Sequence, residues 1–508
     1  MGVQTVIILA AGFGRRMGHF SRMINKALVP YKNKPVISHI FDKFPSDTKF
    51  IIACGHHGQQ LKDYVSLVHS EKNIFCVDVP DYNESYTGPA TSLVECAKYV
   101  TGGFFWITCD TLFDFDYTGK LGENWIGVSP VDSGLSQDYC WVERNGNDIV
   151  VVRNKEHSDT AVDAFIGLMY VHDSRYIECL ARQKSTEACH GFGNIGLQAH
   201  TVYDWMDFGT YDKWYDISYN TNTLSLPKPN ELLYVDNGKV VKFTTDLTLA
   251  QKRFNRAQLN PQCLPANIKY AGNFLVYDRV EGTTVYSHLT PTLFVDLLNW
   301  VKSSIWRGPV LEFVELLAHD FYYTKTIDRL RQFRKQHSTW SEFPVVNQHT
   351  VKTIDEYLAS VDFDLLSNET RWQFTHGDLQ LDNIIYNQEC NTFTAIDWRP
   401  EFSGDTCGDV YYDLAKLLCG MYLSYSRIKN GEMVYIEYDG DVYINDLSVD
   451  NVSEYESQIK MACINMGMRW DKIKLLVPII YLNMAPLHNY PMAKYLIALS
   501  QLHFEALE

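Results

Sequence analysis

Residues 3–11 form an apolar run that stops at Gly12-Phe13-Gly14-Arg15-Arg16, and that junction restricts what the chain can become. The run has no basic segment before it, so it reads as a first β-strand feeding a glycine-rich turn rather than as a secretory signal. Behind it, strand-like and helix-like patterns alternate at 5–9, 35–44, 50–54, 59–69, 74–79, 90–99 and 104–108. That rhythm predicts a mostly parallel sheet covered by helices. Ala90, Leu93, Val94 and Ala97 recur at helical spacing, which assigns them to the face that packs on the sheet.

At 508 residues the chain exceeds one ordinary core and is expected to divide into two large units or three smaller ones. The balance of 45 basic against 61 acidic residues leaves a formal charge of -16, which repels polyanions in the absence of a basic run. Nucleic acid is therefore not an expected partner; small-molecule substrates are. The apolar run at 475–482 is broken by Pro478 and is far shorter than the roughly 20 residues of a membrane span, so no membrane insertion is expected. Twelve cysteines without a CxxC pair read as reduced thiols of a cytoplasmic protein. An oligomer is left open.

The segment 225–231, SLPKPNE, combines two prolines with polar residues and marks a boundary between 1–224 and 232–508. Beyond it, 232–234 and 239–243 flank Asp236-Asn237-Gly238, a hairpin signal. A small β-rich lobe over 232–285 is expected, then a mainly helical lobe over 286–508, where Leu414, Leu417, Leu418 and Met421 share helical spacing. Residues 429–451 read as a β-hairpin insertion.

A strand entering Ala10-Ala11-Gly12-Phe13-Gly14 allows backbone N–H groups to approach phosphates, and Arg16 adds charge. The third glycine of GxGxxG and the GxxxxGK[ST] loop are both absent. Downstream come Asn25-Lys26-Ala27-Leu28-Val29-Pro30 and then Lys34-Pro35. Together these segments resemble sugar-phosphate nucleotidyltransferases, whose LAAGxGxRM and PKALVPVxxKP are closely matched, with Asn25 in place of the usual proline before the lysine.

The resemblance extends over roughly residues 1–220 and implies an α/β fold, a Rossmann-like (GT-A-like) domain with a mixed sheet. It also implies roles. Leu9, Ala10, Ala11, Gly12 and Gly14 would cradle the nucleotide, and Arg16 and Lys26 would act on the triphosphate. Asp110 and Asp207 would hold Mg2+, Lys155 would contact the substrate, and Gly88, opening Gly88-Pro89-Ala90-Thr91-Ser92-Leu93, would lie near base and sugar. Those types suit a reaction that brings phosphate anions together and expels pyrophosphate.

The second signature is HGDLQLDN at 376–383, with IDWRPE after it at 396–401. Asp378 and Asn383 have the D-x-x-x-x-N spacing of kinase catalytic loops, and Asp397 stands where a metal aspartate belongs. Asp378 would orient or deprotonate an acceptor hydroxyl, with Asn383 and Asp397 holding Mg2+ on ATP. HGD and IDW, in place of HRD and DFG, resemble the aminoglycoside phosphotransferase and choline kinase family. That implies a two-lobed, protein-kinase-like α+β domain over 232–508.

By the same resemblance Lys242 contacts the ATP phosphates, although 250–259 offers no glutamate to pair with it, and 277–282 is the hinge between lobes. Asp409 and Asp413 look like supports of the catalytic loop, and helix-end capping explains Asp409 equally well. Trp372 and Trp398 are open to three readings: a choline cage, a sugar-stacking surface, or core. Arg399 and Glu401 either face the acceptor or pair with each other.

A kinase makes the phosphate that a nucleotidyltransferase consumes. The expectation is a bifunctional enzyme of surface-glycan synthesis that uses ATP and a second nucleoside triphosphate, CTP being favoured. A choline kinase joined to a CTP:phosphocholine cytidylyltransferase is the chemical alternative. A nucleotide-binding scaffold is the alternative of another class.

Overall fold

The computed structural model describes residues 4–221, 230–338 and 342–507, so most of the expected linker 225–231 lies outside the described residues. Strands β1 (Thr5–Ala10), β2 (Lys49–Cys54), β3 (Asn73–Asp78) and β4 (Phe104–Thr108) pair in parallel, with β1 between β2 and β4. β1 is buried along its whole length, as a strand covered on both faces must be. β5 (Thr111–Asp114), β6 (Trp125–Val131), β7 (Cys140–Asn145), β8 (Asp148–Asn154), β9 (Val162–Val171), β10 (Gln198–Thr201) and β11 (Asp204–Asp207) come next along the chain. The main sheet is mixed and runs β3-β2-β1-β4-β9-β6-β10-β8-β7, with β9 antiparallel to β4 and β6. Helices α1 (Gly58–Val68) and α2 (Pro89–Ala97) arise where the pattern predicts them, and Ala90, Leu93 and Cys96 of α2 are buried.

Asn25, the departure from the nucleotidyltransferase pattern, is a fully buried brace. Its Nδ2 donates to Ala10 O at 3.0 Å and His56 O at 2.7 Å, while its Oδ1 accepts from Ala27 N at 2.9 Å. One side chain thus ties the end of β1 to the loop after β2 and caps the turn that carries Lys26. Asn25→Ala leaves these groups buried without partners, and we expect a loss of about 3 kcal/mol. The urea midpoint of the full chain measures it; a shift equivalent to under about 1 kcal/mol would show that water replaces the amide.

The predicted hairpin forms: β12 (Glu231–Asp236) and β13 (Lys239–Thr244) turn through Asn237 and Gly238, both at positive φ. With β14 (Lys269–Ala271) and β15 (Phe274–Asp278) they make an antiparallel sheet ordered β12-β13-β15-β14. Its apolar face, including Leu232, Tyr234, Val241, Phe243, Phe274 and Val276, joins the same core as Leu61, Tyr64, Val65 and Val68 of α1. Tyr234 Oη donates to Leu28 O at 2.6 Å, and Tyr64 Oη donates to Asp236 at 2.6 Å.

The chain accordingly separates into one compact unit of 1–251 with 269–278, and another of 252–268 with 279–508. This division differs from the expected ranges 1–224 and 232–508. Sequence order puts the small sheet with the lobe after it, whereas its apolar face packs on what precedes it. The change of unit after Asp278 falls inside the segment expected to be a hinge.

The second unit is mainly helical. α3 (Leu247–Ala257) leads into it, and beyond lie α4 (Lys325–Gln336), α5 (Val410–Tyr422), α6 (Trp470–Met484) and α7 (Met492–Glu505), with α6 packed on α4, α5 and α7. A hairpin of β16 (Ile384–Asn387) and β17 (Thr392–Ala395) carries the catalytic-loop signature at its open end. The expected insertion hairpin forms from β18 (Tyr435–Tyr438) and β19 (Asp441–Ile444). Residues 410–421 of α5 are buried on every side, so Asp413 and Lys416 within it are charges removed from water. Among the described residues, no helix is long and apolar enough to cross a membrane.

Candidate active sites

In the first unit, β1 delivers Leu9 and Ala10, and buried Ala11 leads to exposed Gly12. Gly14 has φ +62, and a Cβ there would stand 3.2 Å from Lys26 Cβ, so glycine serves both the turn and the approach of the lysine. Lys26 Nζ binds the Asp110 carboxylate and donates to Gly209 O at 3.2 Å. Asp110 lies between β4 and β5, and Asp207 ends β11, whose antiparallel pairing places it opposite Thr111. Phe208 N donates to Asp110 O at 2.8 Å. The fold thus brings Gly14, Lys26, Asp110 and Asp207 together.

Burial opposes both charges of the Lys26–Asp110 pair, and each partner overcomes that opposition for the other. The ammonium pKa is raised and the carboxyl pKa lowered. Arg16 is exposed, and its charge acts against that of Lys26 from nearby. Asp207 accepts from Tyr139 Oη at 2.7 Å, Lys213 Nζ at 2.8 Å and Gly209 N at 2.7 Å. Lys155 takes positive φ, donates its N–H to Tyr139 O at 2.9 Å and turns its ammonium to Glu187 at 3.2 Å. Gly88 borders the same strip, since a Cβ on it would meet Thr186 O at 2.4 Å.

In the second unit, Gly377 has φ +84, and a Cβ would strike the Phe402 ring at 2.5 Å and Arg399 Cβ at 2.7 Å. The loop is hung on Asp413, which accepts from His376 N at 2.8 Å, Gly377 N at 2.6 Å and Trp306 Nε1 at 3.0 Å. Burial holds the Asp413 carboxyl up at about 6 and pushes the His376 imidazole down to about 4. His376 Nδ1 accepts from Asp378 N at 3.2 Å, so its Nε2–H donates to Ile396 O at 2.8 Å. Asp409 plays a different part: it caps α5 and binds Tyr322 Oη at 2.7 Å and Lys472 Nζ at 3.0 Å.

The two oxygens of Asp378 face different neighbours. Oδ2 accepts from Asn383 Nδ2 at 3.3 Å, and Oδ1 pairs with Lys416 Nζ at 2.7 Å. The Lys416 side chain is 7% exposed against 41% for Asp378, so a buried cation holds a carboxylate that solvent and substrate can reach. Burial would raise the Asp378 pKa; Lys416, Arg399 and His376 lower it overall. Asn383 and Asp397 stand at the two open ends of the β16–β17 hairpin, joined by Ile396 N donating to Asn383 O at 2.8 Å. Asp397 has φ +60, a strained conformation for this residue type.

Among the described residues, no three His, Cys, Asp or Glu side chains converge as a metal cage. Magnesium rarely asks for one, since one or two protein oxygens suffice when phosphates and water complete its shell. Both sites fit that description. In the first, the lysine ammoniums against Asp110 and Asp207 mark where cations are welcome. In the second, the Asn383 amide donates its N–H to Asp378 O at 2.8 Å and keeps its oxygen as an acceptor, with Asp397 following the other strand of the hairpin.

Lys242 sits on β13 opposite Leu275, with its ammonium 5.9 Å from the Tyr277 ring, and belongs to the first unit. The α3 segment that offers no glutamate supplies a buried arginine. Arg256 donates to Thr406 O at 2.7 Å, His376 O at 3.1 Å, Arg399 O at 2.7 Å and to Thr375 O, which fastens the catalytic loop to the segment after Asp397. Burial lowers its pKa to about 10.

Trp372 and Trp398 are core: they are 0% and 1% exposed, and Trp398 Nε1 donates to Arg253 O at 2.9 Å. Neither lines a cage or stacking surface. Glu401 pairs with Lys252 at 2.9 Å, so the Arg399–Glu401 pair does not form. Arg399 instead lies over Phe321, Phe402 and Tyr412, with Nε donating to Gly377 O at 3.3 Å. Lys325 lies over Phe321 and Tyr412. Such contacts return about 0.5–2 kcal/mol each, against several kcal/mol for withdrawing an ion from water, so this cation cluster is not explained by stability.

Five residues of these sites are not evident from the sequence motifs: Tyr139, Lys213, Arg256, Lys325 and Lys416. Lys416 carries a signal, being the one lysine of a helix whose other residues, Asp413 apart, are uncharged. Arg256 lies in the very segment where a carboxylate is expected, so its own charge is easily passed over. Lys213 lies in the first turn of the helix Tyr211–Asn220, shortly after Asp207. Tyr139 and Lys325 carry no signal, because each reaches its site through tertiary packing.

Comparison with known proteins agrees on both units. Residues 6–188 match the MobA-like NTP transferase domain, and residues 262–439 match the phosphotransferase enzyme family. The chain therefore carries two domains of enzyme families, a nucleotidyltransferase and a kinase-type phosphotransferase. A bifunctional protein GlmU of Methanococcus vannielii is 28% identical over 129 residues, 25% of this chain, and the chain spans 30% of that relative's length. Among solved structures, a putative glucose-1-phosphate thymidylyltransferase from Bacillus anthracis is 19% identical with TM-score 0.37, covering 45% of this chain and 98% of its own. The CTP:phosphocholine cytidylyltransferase of Streptococcus pneumoniae is 14% identical with TM-score 0.35, covering 43% of this chain and 100% of its own.

Proposed function

We propose, for a chain that joins a MobA-like NTP transferase domain to a phosphotransferase-family domain, that the two act in sequence on one metabolite. The second unit phosphorylates a small alcohol with ATP. The first condenses that phosphate with a nucleoside triphosphate, releasing pyrophosphate and an activated metabolite for surface-glycan assembly in the cytoplasm. The observation that carries this reading is the parallel construction of the sites: in each, a lysine withdrawn from water keeps an aspartate ionised beside a second oxygen ligand.

In the kinase step, Asp378 takes the acceptor proton while its hydroxyl oxygen attacks the γ-phosphorus, and ADP leaves. Gly377 and Arg256 keep the loop in place, and Lys416 keeps Asp378 unprotonated. In the transferase step, a phosphate oxygen attacks the α-phosphorus of the second nucleotide and pyrophosphate departs. The Gly12–Gly14 turn receives the phosphates, and Lys26 and Arg16 offset the charge that develops. Mg2+ at Asp110 and Asp207, and at Asn383 and Asp397, would neutralise phosphate charge and align the leaving groups.

The test is a matrix of candidate alcohols and their phosphates against ATP, CTP, GTP, UTP and dTTP, with ADP and pyrophosphate read separately. One alcohol should yield ADP, and its phosphate alone should yield pyrophosphate with one nucleotide. If the alcohol phosphorylated and the phosphate nucleotidylated belong to different compounds, sequential action is wrong. Tight binding of Mg-ATP with no turnover on any acceptor would favour a scaffold.

A further inference from the structure

We infer that the alcohol phosphorylated by the second unit carries an anionic group, a carboxylate or a phosphate, held by Lys325 and Arg329 with Arg399 behind them. The inference rests on the kinase reading above and adds the charge of its acceptor.

The geometry divides the surroundings of Asp378. Its Oδ2 looks toward Asn383 and the hairpin end that carries Asp397, the side where ATP and its metal belong. Its Oδ1 looks toward Lys416, and with ATP on the first side this second side is the one left for the acceptor hydroxyl. That side is lined by cations. Arg399 Nη2 donates to Tyr412 Oη at 3.4 Å, Lys325 Nζ lies 5.1 Å from the centre of the Tyr412 ring, and Arg329 is one helical turn beyond Lys325. Lys325 and Arg329 border an open cleft of about 360 Å3 with Asp320, Thr324, Asp328 and Gln332.

No ion pair satisfies these charges among the described residues. Asp328 is turned to Arg331 at 2.9 Å, and Arg329 donates to the neutral Gln332 at 3.2 Å. Exposed Asp320 is the carboxylate whose charge favours the Lys325 ammonium, against Arg399, Arg329 and Lys416. Burial and those three neighbours push the Lys325 pKa far down, which an incoming anion would reverse. In a chain of net charge -16, such a concentration of cations beside a catalytic aspartate is a specific feature.

The backbone is adapted to it. The helix entering α4 widens into a π turn at Asp320–Thr324, immediately before Lys325. Such turns interrupt the helical register and are frequent at functional sites. The same geometry speaks against a quaternary ammonium acceptor on that side, where the rings Phe321, Phe402 and Tyr412 already bear Lys325 and Arg399 on their faces.

The experiment uses the full chain with Mg-ADP and four probes: glycerate, glycerol phosphate, glycerol and choline. Equilibrium binding is measured for the wild type, Lys325→Met and Lys325→Arg. Glycerate or glycerol phosphate should bind, and whichever arm responds separates carboxylate from phosphate. Lys325→Met should weaken that binding about tenfold or more, with Lys325→Arg restoring most of it. Binding of glycerol or choline in preference to both anions, equal anion binding by Lys325→Met, or no anion binding at all would overturn the inference. ADP release from Mg-ATP with the same probes separates the two readings. Release with choline alone overturns only the anion, whereas release that persists undiminished in Asp378→Asn overturns the kinase assignment.

Discussion

Asp378→Asn lowers phosphoryl transfer by about two to four orders of magnitude and leaves nucleotidyl transfer at its wild-type rate. The amide keeps the shape of the side chain and its contact with Asn383, but it has no lone pair basic enough to take the acceptor proton. It also leaves Lys416, a buried ammonium, facing a neutral group. Breaking one side of a buried pair is costly, and the partly exposed position of Asp378 reduces that to about 1–3 kcal/mol. Adding Lys416→Met should return most of the lost stability without returning activity. ADP and pyrophosphate release, with thermal unfolding of each variant, measure the three effects. Kinase activity surviving in Asp378→Asn would remove this aspartate from the chemistry, and a matching loss of nucleotidyl transfer would mean that the sites are not independent.

Lys26→Met has the complementary effect. Nucleotidyl transfer should fall about a hundredfold to a thousandfold, as when one donor to developing charge is removed, while phosphorylation continues. The Asp110 carboxylate is 20% exposed and loses its lysine partner, at a cost of about 3 kcal/mol at neutral pH. That cost depends on pH in a definite direction. In the wild type the Asp110 pKa lies below its ordinary value, so the pair stabilises the fold above that value and the stabilisation is lost as pH falls through the lowered one. Without Lys26, burial, the largest influence on this carboxyl, is opposed only by hydrogen bonds from Thr108 and the backbone, so the carboxyl protonates more readily and the deficit of the variant shrinks in acid. Urea midpoints of wild type and Lys26→Met at pH 7 and pH 4 give the comparison. A deficit that grows toward pH 4 would contradict the assignment of the pair. Lys26→Met with Asp110→Asn should be stable at both pH values and inactive in nucleotidyl transfer.

Much of this architecture is legible in the residues. The alternating apolar pattern locates β1 to β4 with α1 and α2, because covered parallel strands and amphipathic helices impose periods that survive in one sequence. Asp-Asn-Gly announces the β12–β13 turn through its positive φ angles. Asp110 and Asp207 come together because they adjoin strands that pair with each other. The parts that are not legible depend on packing between distant segments. Nothing local in Leu232, Tyr234 or Phe274 says which helix they will cover, and α1 receives them. Arg256 and Lys325 look like ordinary surface cations until the fold closes around them. Trp372 and Trp398 show the converse: large aromatics near a motif are candidates for ligand contact, and here the interior takes them.

The order in which the small sheet is made has a consequence for synthesis. The core beneath α1 is complete only when β15 is available, so the first unit cannot finish folding until residue 278 has left the ribosome. By then residues 252–268, which belong to the second unit, are already outside and waiting for partners still to be translated. Domains usually fold as they emerge, one after the next. Here the two interlace in time, and a ribosome paused between 230 and 268 would hold a nucleotidyltransferase with an apolar flank open to chaperones.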